Sequence, residues 1–198
     1  NYRTHGPIFL GRAVQQVVAH HQEWKDRIQI DVYGSKYPDD VVNAVLDQFD
    51  LHGIVNLHGR VSHEEALQRM VQSDLLFMAL PDRVDDSPGG RISAKTYEYL
   101  MTNRPILAAL PPGENRDFLH DKPGVYLTPP DGVDEMAEVI ANQIASAFAG
   151  HPITIDRSEL QTRLSSTARA QAFERVLNNL VVAPTQPVVV SSDDPTPL

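Results

Sequence analysis

The chain has 198 residues, 41% of them hydrophobic and 22% charged, with a formal charge of -9 and an isoelectric point near 5.2. That balance suits one sizeable globular domain with a buried core, and the acidic charge argues against general affinity for nucleic acid or anionic lipid, so an anionic ligand must be caught by a local site. With no cysteine there is no disulfide scaffold, thiolate metal site or cysteine nucleophile; no apolar run approaches the roughly 20 residues of a membrane helix, and NYRTHGPIFL lacks the layout of a secretory signal, which favours the cytoplasm, at most peripheral at the inner face of the membrane.

In chain order, apolar periodicity alternates between helix and strand. Residues 8–24 place Phe9, Ala13, Val17 and Trp24 near one helical face, and IQIDVYG at 28–34 follows as a short strand closed by glycine. Asp39 and Asp40 open an acidic first turn for VVNAVLDQF, Gly53 ends that helix, and GIVNLHG is the next strand. Ser62 caps SHEEALQRMVQ, with Glu65 three positions on in the capping-box pattern, ahead of the strand LLFMAL at 75–80. A helix from about Arg91 or Ile92 then leads to the strand PILAAL, the short helix ENRDFLH, the strand VYLTPP and the long amphipathic helix DEMAEVIANQIASAFAG. Residues 157–182 form one further helix with Leu160, Leu164, Phe173, Val176, Leu177 and Leu180 available for packing, and residues 183–198, rich in proline, form a flexible tail. Strands separated by helices, and apolar at both alternating positions, imply an α/β fold: a doubly wound, Rossmann-like parallel sheet with helices on both faces.

Chemistry concentrates in GGRISAKTYEYLMTNRPILAAL, residues 89–110. Gly89 and Gly90 let backbone approach a ligand with no Cβ in the way. The helix that follows turns its free amides and the positive end of its dipole to the same spot, an anion pocket bounded by Gly89, Gly90, Arg91, Ile92 and Ser93. Arg91 and Lys95 lie one turn apart, with Glu98 three residues deeper, so cations flank the helix start and a carboxylate follows. Phosphates outside and hydroxyls inside suit that order, because a carboxylate accepts ribose hydroxyls and repels phosphate. Asn103 can take the left-handed conformation of a helix C-cap and Pro105 stops continuation.

GRVSHEEALQRMVQSDLLFMAL followed by AKTYEYLMTNRPILAALPPG resembles the C-terminal, donor-binding domain of the large retaining glycosyltransferase family with the GT-B fold, typified by glycogen synthase and sucrose-phosphate synthase, over about residues 1–180. The resemblance implies a nucleoside diphosphate sugar, such as a UDP- or GDP-sugar, as donor and substrate, with no resident cofactor or metal. It places Lys95 near the phosphates and Glu98 on the ribose. It also implies that Gly59, Arg60 and Val61 line the base through backbone groups, and that Arg3 faces the diphosphate. Arg3 and Lys95 are then the catalytic pair, stabilising the leaving diphosphate electrostatically. The domain so implied covers residues 1–182, lacks its first strand, and depends on a partner N-terminal domain that holds the acceptor site, so these residues alone bind donor without turnover. The acceptor is a glycan, lipid or small molecule.

Three places depart from the pattern. Where the family often carries a second glutamate on the donor sugar, this chain has Gly90; the glycine before arginine-proline is Asn103; and the chain begins at NYRTHG. Two other functions fit the same architecture: a nucleotide-sugar 2-epimerase, and a non-catalytic nucleotide-binding or interaction module. Blander readings also stand beside the sharp ones. Lys95 and Glu98 can be a surface pair at helical spacing, worth a few tenths of a kcal/mol, and Arg91 can be solvated. Asp82, Asp85 and Asp86 can hold a divalent cation or simply be solvated. The eight histidines form no HExxH-type set; His58 and His63 fall near the base pocket without a spacing that makes either catalytic.

Overall fold

The structure, a computed structural model, describes residues 5–34, 39–80 and 92–181, and the chain divides into two compact units, Asn1–Ser158 and Glu159–Leu198. In order the elements are α1 (His5–His20), a 3-10 helix (Gln22–Arg27), β1 (Ile30–Tyr33), α2 (Asp39–Phe49), β2 (Val55–Gly59), α3 (His63–Gln72), β3 (Leu76–Ala79), α4 (Ala94–Leu100), β4 (Ile106–Ala109), α5 (Glu114–Leu119), β5 (Val125–Thr128), α6 (Val133–Phe148), α7 (Ser158–Leu164) and α8 (Ser166–Val181). Every strand pairing is parallel, as the alternation of helix and strand in the sequence implies. The pairings form two ladders, β1–β2 and β3–β4–β5.

β4, with a neighbour on each side, is buried at all four positions, Ile106 to Ala109. Its side chains alternate between two layers. Leu107 and Ala109 join Ala13, Val14 and Val17 of α1, Phe49 of α2 and Met136, Ala137 and Ile140 of α6 in one apolar cluster, with Phe77 and Ala79 of β3 packed against it. Register pairs Phe77 with Leu107 and Ala79 with Ala109, so these residues share one face. On the other face Met78 meets Thr96 of α4 and Asn115 of α5. α1, α2 and α6 therefore cover one side of the molecule, and α4 and α5 the other.

Four local expectations change. α1 stops at His20, and Trp24 sits in the 3-10 helix, stacked on His21 at 3.8 Å and edge-on to Phe148 at 5.8 Å. α2 closes on Asp50, left-handed at φ 50, three residues before Gly53, with Leu51 N–H bonded to Leu46 carbonyl at 2.9 Å; a short polar side chain tolerates that conformation. Asn103 is not left-handed, since Asp50 is the one non-glycine residue with positive φ among the described residues. Instead Thr102 hydroxyl donates to Tyr99 carbonyl at 2.7 Å and Asn103 carbonyl accepts from Ile155 N–H at 2.9 Å. Finally, the helix expected over 157–182 breaks between α7 and α8, because Ser165 turns out of the first and caps the second, its hydroxyl accepting from Ala168 N–H at 3.2 Å. Phe173, Val176 and Leu177, expected to pack, are exposed, and residues 183–198 lie outside the described residues.

Arg157 ties the end of the first unit together. It is 1% exposed. Its Nε donates to Pro123 carbonyl at 2.9 Å, Nη1 to Thr102 and Arg104 carbonyls at 2.8 Å each, and Nη2 to Gly124 carbonyl at 3.3 Å. These carbonyls flank the entry to β4 and the entry to β5, so one guanidinium holds both strand starts. Burial pushes its pKa down to about 10, which leaves it charged at neutral pH.

Candidate functional site

Parallel strands put all their carboxyl ends on one edge of the sheet, where loops feed helix N-termini and where α/β sheets bind ligands. The covering layer changes sides between β1 and β3, which makes their carboxyl ends the point where a crevice opens. At the far part of this edge Arg116 of α5 fills the space: its Nη1 donates to Leu110 and Thr128 carbonyls at 2.8 Å each, closing the ends of β4 and β5. The open part is bounded by the turn after β2 and the start of α4.

Gly59 ends β2 with φ +67 and its carbonyl accepts from Gly34 N–H at 2.7 Å. A Cβ there would meet nothing within 4 Å, so glycine is required by backbone conformation rather than by crowding. Arg60 is exposed and Val61 half-buried. Ser62 then caps α3, its hydroxyl accepting from Glu65 N–H at 3.1 Å, while the Glu65 carboxylate lies 3.8 Å from Arg69.

α4 begins at Ala94, with Ser93 in the extended conformation of an N-cap. That is two to three residues later than its sequence suggested, and Ile92 and Ser93 are half-buried ahead of it. Lys95 is exposed at the second helical position and Glu98 half-buried three residues on, about 60° apart around the helix. Neither forms a salt bridge among the described residues, so the structure does not pair them with each other. Between them Thr96 is fully buried and its hydroxyl donates to Asn115 Oδ1 at 2.7 Å. That bond fixes the rotation of α4 against α5, and so determines which side of α4 faces outward. Burial, and then the Glu98 carboxylate, raise the Tyr99 pKa, keeping its hydroxyl a donor to Phe77 carbonyl at 3.1 Å.

Arg3, Gly89, Gly90 and Arg91, with Asp82, Asp85 and Asp86, lie outside the described residues. Gly59 to Val61 and Ile92 to Glu98 stand at the same strand-carboxyl edge. Sequence reasoning missed Thr96, Asn115, Arg116 and Tyr99, whose partners come from other elements. The one available signal was a threonine and an asparagine at positions where their helices pack. Two concavities lie elsewhere, one of about 390 Å³ along α3 and one of about 460 Å³ between α1, the 3-10 helix and Phe49 to Ile54; neither is lined by Lys95 or Glu98. Among the described residues no group of three His, Asp or Glu side chains is placed to hold a metal ion, and no helix is long and apolar enough to cross a membrane.

No protein-family model and no curated protein matches this sequence. Solved structures do. Anabaena Alr3699/HepE, described in complex with UDP, is 18% identical with a TM-score of 0.59 over 86% of this chain and 44% of its own. The α,α-trehalose 6-phosphate synthase of Burkholderia multivorans is 13% identical, TM-score 0.60, over 92% and 41%, and AviGT4, a glycosyltransferase of avilamycin A biosynthesis, is 15% identical, TM-score 0.53, over 88% and 48%. The fold is that of a GT-B glycosyltransferase domain. This chain spans less than half the length of each of these structures. The GT-B resemblance carried by GRVSHEEALQRMVQ and AKTYEYLMTNRP in the sequence is thus matched by the whole arrangement of elements.

In this GT-B domain the exposed face of the β1–β2 ladder carries a polar cluster beside Gly59. Asp31 accepts from His58 Nε2 at 2.7 Å, from Gln29 Nε2 at 2.9 Å and from Asn56 at 3.4 Å, and His58 stacks on Tyr33 at 4.5 Å. Burial raises the Asp31 pKa, but these hydrogen bonds, led by His58, outweigh it and leave the pKa below the ordinary value. A depressed carboxylate stabilises the fold above its unfolded pKa, about 3.9, and loses that contribution as pH falls through the folded value. Asp31→Asn should therefore lower the urea midpoint at pH 7 and flatten the fall in stability below about pH 4. An unchanged acid profile would mean that the cluster contributes nothing to folding.

Proposed function

We propose that this chain is the donor-binding domain of a retaining glycosyltransferase. It holds a nucleoside diphosphate sugar at the carboxyl ends of its strands and serves transfer of the sugar to an acceptor glycan, lipid or small molecule bound by a partner N-terminal domain. The observation that carries this reading is Lys95 and Glu98 together at the strand-carboxyl edge, on a helix whose rotation is fixed by the buried Thr96–Asn115 bond, neither bound to another described charge. In this reading Lys95 and Arg3 neutralise the diphosphate as it departs, Glu98 accepts the two ribose hydroxyls, and Gly59 to Val61 give backbone to the base. The fold shared with HepE, whose structure is described with UDP, supports the same ligand class.

Titration with UDP, GDP and ADP tests the pocket and names the base. One of the three should raise the melting temperature in a concentration-dependent way. Glu98→Gln should weaken that nucleotide about tenfold, the worth of one charge-assisted hydrogen bond, and leave inorganic pyrophosphate unaffected. No shift with any nucleotide would leave a non-catalytic module, and equal loss for nucleotide and pyrophosphate would remove Glu98 from the ribose.

A further inference from the structure

The parallel sheet is open in its middle. β1 pairs with β2 on one side and β3 with β4 on one side, and no pairing joins β1 to β3 among the described residues. In a parallel ladder successive residues direct their backbone groups to alternate sides. Ile30 N–H goes to Ile54 carbonyl and Gly34 N–H to Gly59, so Asp31 and Tyr33 direct theirs away from β2. Leu76 N–H goes to Pro105 carbonyl and Leu80 N–H to Ala109, so Phe77 and Ala79 turn away from β4.

The direction in which the helices wind fixes where these edges lie. Parallel crossovers are right-handed. β1 passes to β2 through α2, which lies in the same layer as α1. α1 leads into β1 on that same face, so with the same hand the strand that feeds α1 lies on the side of β1 away from β2. From β3 to β4 and from β4 to β5 the chain travels the opposite way through α4 and α5 on the other face. Passing from β2 through α3 to β3 with the same hand then carries the chain back across β1 and beyond it. Both rules meet in one place, a slot between β1 and β3.

The surroundings fit an apolar occupant. Under one face lie Ala13, Val14 and Val17 of α1, and β3 turns Phe77 and Ala79, both only half-buried, to that layer. α3, which must span the slot on the other face, leaves Leu67 38% and Val71 51% exposed. The hydroxyl of Tyr99 reaches Phe77 carbonyl, and a carbonyl has a second lone pair for a strand amide.

We propose that this slot takes one parallel strand of the same polypeptide, leading into α1: four to five residues to match β1 and β3, apolar on both faces and free of proline. The inference concerns the sheet and does not depend on the donor reading. Amide hydrogen exchange tests it on two proteins, the 198-residue chain and the same chain with Lys-Lys-Val-Val-Val-Ile-Val-Gly fused ahead of Asn1. In the first, the amides of Asp31, Tyr33, Phe77 and Ala79 should exchange freely, while those of Ile30 and Leu76, bonded within the ladders, are protected. In the extended protein all four should slow by about 100-fold or more, and a proline in place of the central valine should abolish the gain. Protection of the four amides in the unextended chain, gain at the outer edges of β2 or β5, or no gain at all would each overturn the proposal.

Discussion

Arg157→Met is expected to destabilise the protein by about 3–5 kcal/mol, the cost of breaking a buried charged network by removing one partner. The side chain is 1% exposed and donates to four backbone carbonyls, those of Pro123, Thr102, Arg104 and Gly124. Methionine replaces the apolar stem and leaves every one of those acceptors without its donor, at about 1–3 kcal/mol for each that water fails to reach. Since a domain of this kind has about 5–15 kcal/mol to lose, the variant should show a clear drop in urea midpoint at unchanged slope. Arg157→Lys, with three donors on one atom instead of a planar fork, should recover part of the loss. A change below about 1 kcal/mol for methionine would mean that the carbonyls rehydrate and that the guanidinium is no tie between β4 and β5.

Lys95→Ala is the second large effect, and it should fall on catalysis rather than folding. Lys95 is exposed and makes no salt bridge among the described residues, so its removal should leave the urea midpoint within about 0.5 kcal/mol of the parent. If it neutralises the departing diphosphate, turnover of the complete protein with its donor should drop about 100-fold, as for loss of one preorganised charge-stabilising donor. Binding of the free nucleoside, which lacks phosphate, should not change. Steady-state kcat beside nucleoside affinity separates these effects. A parallel fall in both would make Lys95 a general binding residue, and no change in either would remove it from the site.

The two variants probe different distances of reasoning from sequence. Lys95 and Glu98 are legible because a helix has a fixed period, so residues three and four apart must share a side whatever the rest of the chain does. Arg157 is not legible. Its four acceptors come from residues 102–104 and 123–124, and nothing in the run ITIDRSEL distinguishes an arginine bound to carbonyls from one in water. The same holds for Arg116, which reads as a charge on a short helix and proves to close two strand ends. Helix boundaries fall between these cases. Ser62 was legible as a cap because its partner, Glu65 N–H, is local, whereas Asn103 and Asp50 exchanged roles because the carbonyl of Asn103 is engaged by Ile155 from beyond α6.

Sequence by itself determined the alternation of helix and parallel strand, the buried character of PILAAL, and the placing of Lys95 and Glu98 on one side of a helix after a glycine pair. Each follows from local periodicity and backbone preference, which act over a few residues. Tertiary structure decided which strand ends stay open, which guanidiniums are consumed as internal ties, and that the sheet divides between β1 and β3. Those outcomes depend on hydrogen bonds and packing between residues tens of positions apart, where partners are chosen by the three-dimensional arrangement and leave no periodic trace in the chain.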